Sequence, residues 1–206
     1  MAIKSTYFYT SLKIKSKEVI VIGFLSILTQ IVLAVWHLFL FWISIFKAPF
    51  KQPEMFWIII PIWVNWFFTE FFVEKHGTTF GNAISNGVVP ILASLDWTRY
   101  IYRLVSEGLI QLTFGTYLKF ALAVFVFGYG VFVIVAGIKI KNIIFYIGRI
   151  RWITYVLLMI TPIIYNVIKF NIRTLLAIVV FFPLYWIVIE IFDRITPEPR
   201  VYQEES

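Results

Sequence analysis

The chain has 206 residues, 61% of them hydrophobic and 14% charged, with a mean hydropathy of +0.87. Soluble domains run near about 45–50% apolar and about 25% charged, so this composition excludes a water-soluble globular domain, which has no way to hide so much apolar surface. The net charge of +7 lies mostly beside apolar segments, the pattern of positive-inside retention and attraction to anionic lipid. With no basic patch interleaved with exposed aromatics, nucleic acid is not an expected partner.

Residues 1–18 form a basic segment with Lys4, Lys13, Lys15 and Lys17. The apolar run from 19 to 46 is too long for a signal-peptide core of about 7–15 residues, so it reads as a retained first span. Gln30 and His37 are its polar members. After a short loop, the second predicted span covers 55–73 and carries Pro61, Asn65 and Glu70.

A polar and interfacial region follows over 74–119. It opens with Glu74, Lys75 and His76, then the Gly/Asn/Ser/Thr-rich run GTTFGNAISNG at 77–87, which includes Asn82 and Asn86. Residues 88–95 are apolar, but eight helical residues extend only about 12 Å against a hydrocarbon core of about 30 Å. Asp96, Arg99, Arg103 and Glu107 fall on one helical face, at ion-pairing spacings. The region therefore predicts a re-entrant or interfacial helical segment.

The third span is predicted over 120–138. There Ala123, Gly130 and Gly137 recur every seven residues, a seam of small side chains that lets another helix approach closely. Lys139, Lys141, Arg149 and Arg151 read as a basic loop. A fourth span covers 152–167, interrupted by Thr161-Pro162, and a fifth covers 174–192 with Pro183 inside and Glu190 near its end. A polar tail occupies 193–206.

The expected fold is thus an all-α polytopic integral membrane protein of about five transmembrane helices, with six as the alternative. Multi-pass insertion in the cell membrane with a cytoplasmic N-terminus is the expected placement. The charge margin is thin: of the 18 Lys and Arg, ten fall inside and eight outside.

Ionisable groups inside a bilayer cost several kcal/mol and mark function more often than not. Glu70 is the clearest, placed about 24 Å along span 2 from its loop, in the far third of the membrane. Glu74, one turn on, shares its helical face, and two such carboxylates can share a proton or cation. If spans 1 and 2 form a hairpin, Gln30 lies at the depth of Glu70 and His37 at that of Asn65. These residues, with Asn82 and Asn86, are the candidate lining of an ion or polar-solute pathway. Set against this, interhelical hydrogen bonding alone accounts for Gln30, His37 and Asn65.

Arg99 and Arg103 are candidates for an anionic lipid headgroup, since guanidinium forks match phosphate oxygens. A face closed by its own ion pairs is the plainer reading.

No metal site is expected. The chain has no Cys and two His, the H-E-x-x-H pattern is missing, and His76 does not share the helical face of Glu70. A nucleophile elbow, a P-loop and a dinucleotide fingerprint are also missing, and the residues leave any cofactor open. Three functions follow as expectations. The first is a small transporter or channel using Glu70. The second is a lipid-headgroup enzyme using Glu74, His76 and Asp96 with the two arginines. The third is a non-catalytic subunit or assembly factor, partnered by a second copy or another membrane protein.

Overall fold

The structure is a computed structural model that describes residues 2–75 and 77–197, with the side chains of 23–75 and 77–197. His76, the side chains of the basic N-terminal lysines and residues 198–206 of the tail lie outside the described residues. The described chain is all α-helical, with no strand. Its helices are α1 (Ala2–Phe46), α2 (Ala48–Lys51), α3 (Phe56–Phe68), α4 (Phe80–Ser106), α5 (Phe114–Ile138), α6 (Ile144–Ile147), α7 (Ile150–Ile164) and α8 (Ile172–Ile195). A 3-10 turn at Pro53–Met55 leads into α3, and a π-helical turn at Thr69–Val73 extends it. Among the described residues, four segments are long and apolar enough to cross a membrane: Gly23–Phe46, Pro53–Val73, Phe114–Ile138 and Ile172–Ile195. The apolar helix Ile150–Ile164 is shorter, about 22 Å at 1.5 Å per residue.

The chain divides into two compact units, Met1–Phe41 and Trp42–Ser206. In the first, none of the best span window beginning at Gly23 is buried, and Gln30 and His37 are both exposed.

In the second unit, α4 and α5 form the tightest pair. The small-residue seam explains why. A Cβ added to Gly130 would stand 2.6 Å from the Gly87 carbonyl oxygen and 3.1 Å from Pro90 Cγ, and one on Gly87 would stand 2.8 Å from Ile134 Cγ1. Real side chains do not tolerate such distances, so glycine is required for the backbones to cross this closely. Ala123 and Gly137 are buried along the same seam, and Ile84 of α4 lies over Gly137. The seam is thus covered by the chain's own α4.

The region read as a re-entrant or interfacial helical segment contains one long continuous helix, α4. Of the Gly/Asn-rich run, only Gly77–Thr79 is non-helical, with Gly77 at φ +111°. The Thr79 side chain caps α4 by accepting from the Asn82 amide at 3.2 Å. The 27 residues of α4 then extend about 40 Å. Residues 88–95 are the middle of this helix and not a separate short piece. Helix α5 likewise begins at Phe114, six residues before the predicted start of the third span.

Helix α7 packs along α4 through a line of polar side chains. Trp97 Nε1 donates to Thr161 Oγ1 at 3.2 Å. The Tyr165 hydroxyl donates to Asp96 Oδ2 at 2.6 Å, and the Tyr165 ring stacks on Tyr100 at 3.9 Å. Trp42 Nε1 donates to the Tyr155 hydroxyl at 3.1 Å, and that hydroxyl donates to the Ile178 carbonyl at 2.6 Å.

Candidate functional site

The end of α3, the start of α4, the start of α7 and the end of α8 meet around one arginine. Arg151 is fully buried, one residue inside α7. The expectation that it belongs to a basic loop is corrected here, because its side chain turns inward to three carboxylates. Its Nε donates to Glu70 Oε1 at 2.7 Å, and its Nη2 donates to the same oxygen. Nη1 donates to Glu190 Oε2 at 3.1 Å, and Asp193 Oδ2 lies 4.0 Å from Nη2. The guanidinium also lies over the Trp186 ring, 4.6 Å from its centroid, with Arg149 at 5.2 Å from the same ring. Cation–π contact of this kind favours a desolvated arginine.

Glu70 is equally buried, at 1% exposure. It sits in the π-helical turn, closed by the Glu74 amide donating to the Thr69 carbonyl at 2.7 Å. Such turns re-aim side chains and occur often at functional sites. Among the described residues, Glu70 Oε2 and Asp193 Oδ1 are buried without a hydrogen-bond partner. A buried acceptor without a donor costs about 1–3 kcal/mol, so these oxygens favour a proton or a cation.

Glu74 has separate partners. Its Oε1 accepts from Asn86 Nδ2 at 2.7 Å, and its Oε2 accepts from the Ile150 amide at 3.2 Å, at the first turn of α7. Asn86 Nδ2 also donates to the Gly148 carbonyl at 2.8 Å. Glu74 and Asn86 therefore clamp the turn that presents Arg151. Burial pushes the Glu74 carboxyl above its ordinary value, held back by the Ile150 amide and Asn86 and pushed further by Glu70.

The predicted site residues divide as follows. Glu70, Glu74 and Asn86 gather at this cluster, with each carboxylate holding its own donors. Asn82 stands at its edge, where its Nδ2 donates to the Val73 carbonyl at 3.4 Å. Asn65 lies one turn before the π-helical turn with its Nδ2 buried and unpartnered among the described residues. Glu190, near the end of the fifth predicted span, and Asp193, at the start of the polar tail, belong to the cluster, and Glu190 is shared with Arg194 at 3.2 Å.

Arg99 and Arg103 occupy a separate cleft of about 660 Å³, lined also by Pro53, Glu54, Trp57 and Asp96. Arg99 pairs with Asp96 at 2.9 Å, and Arg103 with Glu54 at 2.6 Å and Glu107 at 3.9 Å. The spacing-based pairs form, and Glu54 joins them from the loop before α3. With each guanidinium facing a carboxylate, the cleft carries mixed charge and no concentrated positive field for a phosphate. Among the described residues, no three His, Asp or Glu are grouped to hold a metal ion. No family model, curated protein or solved structure matches this chain.

Proposed function

We propose that the protein is a small membrane transporter or channel for a proton, a cation or a small polar solute, with Glu70 as the binding carboxylate and Arg151 as its displaceable counter-ion. The observation that carries this reading is one buried guanidinium shared by three carboxylates, two of which keep a buried oxygen without a donor. Protonation of Glu70, or a cation at Oε2, weakens its hold on Arg151. The guanidinium then passes toward Glu190 and Asp193, which already lie within 3.1 and 4.0 Å. Competition of several acids for one arginine is the charge arrangement a two-state switch needs. We place it in the cell membrane with the N-terminus in the cytoplasm.

A second reading, a non-catalytic membrane subunit, is supported by the polar side chains of the first span, since an apolar helix carrying Gln30 and His37 gains from another helix that satisfies them. The lipid-enzyme reading is weaker, because Arg99 and Arg103 are already paired with acids.

The test is proton, sodium and potassium flux in proteoliposomes of both polarities, comparing native protein with Glu70→Gln. Flux in the native protein that disappears in a folded Glu70→Gln supports the transporter. No flux from folded native protein overturns it in favour of the subunit.

A further inference from the structure

We propose that the cleft between α5 and α8 binds one acyl chain of an anionic bilayer phospholipid, with the phosphate held at Lys119. This inference stands apart from the Arg151 cluster. The cleft has α7 as its floor and a volume of about 910 Å³, within the range of about 300–1,000 Å³ typical of ligand sites. It runs from Lys119 and Phe170 at one end to Trp152 and Phe182 at the other. A second apolar cavity of about 500 Å³ shares Phe125, Trp152 and Val156 with it, so a long chain has room to continue.

The walls are aliphatic and aromatic, and Lys119 is the one charged residue among the lining residues described. Two of the flanking helices, α5 and α8, are long and apolar enough to cross a membrane. An occupant therefore enters from the hydrocarbon, not from water, and is itself apolar over most of its length.

The headgroup follows from charge. Lys119 Nζ donates to Asn166 Oδ1 and to the Ile164 carbonyl at 3.4 Å, both neutral acceptors. Among the described residues, no carboxylate stands within ion-pairing distance of it. An ammonium has three donors, so one remains for a phosphate oxygen. Asn166 is fixed for this contact by a left-handed backbone, φ 60°, just past the end of α7, a conformation Asn tolerates better than most residues.

The experiment titrates the detergent-purified full chain with phosphatidylglycerol or phosphatidylcholine carrying the same acyl chains, and counts bound lipid by native mass spectrometry. One phosphatidylglycerol is expected to bind about fivefold or more tightly than phosphatidylcholine, the contribution of a basic residue near an anionic headgroup. Lys119→Ala removes that preference, and Lys119→Arg keeps it. Val156→Trp, which fills the floor of both cavities, weakens retention of both lipids. Should Lys119→Ala fail to fold, Lys119→Gln keeps a donor to Asn166 and carries the same comparison. Equal binding of the two lipids by native protein, or a preference that survives loss of the Lys119 charge, overturns the proposal.

Discussion

Arg151→Met separates a network that holds the fold from one that merely decorates it. The substitution keeps much of the side chain's volume and removes its charge and all its donors. Glu70 is then left buried at 1% exposure without the guanidinium that donates to it. Removing one member of a buried pair costs about 3–5 kcal/mol, because the other charge is left uncompensated. For a chain of this size that is a fall in Tm on the order of 10 °C. Glu190 is 39% exposed, so water screens its share, and Glu190→Gln costs under about 1 kcal/mol. The decisive comparison is the double variant Glu70→Gln/Arg151→Met, which removes both charges and recovers at least about half of the loss. Thermal unfolding in one detergent, followed by tryptophan fluorescence, reads all four proteins. An Arg151→Met loss of less than about 1 kcal/mol, or a double variant as unstable as the single, would refute a structural role for the Glu70–Arg151 pair.

Four further outcomes are expected. Gly130→Val forces α4 and α5 apart, since even its Cβ meets the Gly87 carbonyl at 2.6 Å, and destabilises by at least about 1–3 kcal/mol in the same unfolding assay. Gly128→Ala, with nothing within 4 Å of its Cβ, gains helix propensity and stabilises by about 0.5–1 kcal/mol; a matching loss would place that face in an unseen contact. Trp97→Phe removes the donor to Thr161 in a fully buried site and costs about 0.5–1.5 kcal/mol for the hydrogen bond, besides lost packing. Glu74 is a pH probe: its folded carboxyl titrates above the ordinary 4.5, so the folded state holds the proton longer than the unfolded one. Stability therefore falls as pH rises from about 4.5 through the raised value. Glu74→Gln flattens that slope in a Tm-versus-pH series, and an unchanged slope would assign it to another group.

What could be read from the residues alone was set by local spacing. Ala123, Gly130 and Gly137 announce a close helix crossing at seven-residue intervals, and the crossing with α4 occurs there. Asp96 with Arg99, and Arg103 with Glu107, are neighbours on one helix face, so their pairing is written in the sequence. Glu70 stands out because a carboxylate within an apolar run must find a partner. Its partner did not stand out: Arg151 lies 81 residues away at the edge of an apolar segment, where an arginine reads as a loop residue snorkelling to water. The start of α4 was obscured for a related reason. Gly, Asn and Ser at 81–87 read as chain breakers, yet the buried residues among 81–87 have tertiary uses that propensity does not see. Gly87 admits α5, Ala83 packs against Ala136 and Ile144, and Asn86 joins Glu74 to Gly148. The same residues that appear to interrupt the chain are those that bring α7 and its arginine to Glu70, so the break in hydropathy marks the site even though it does not mark a break in the helix.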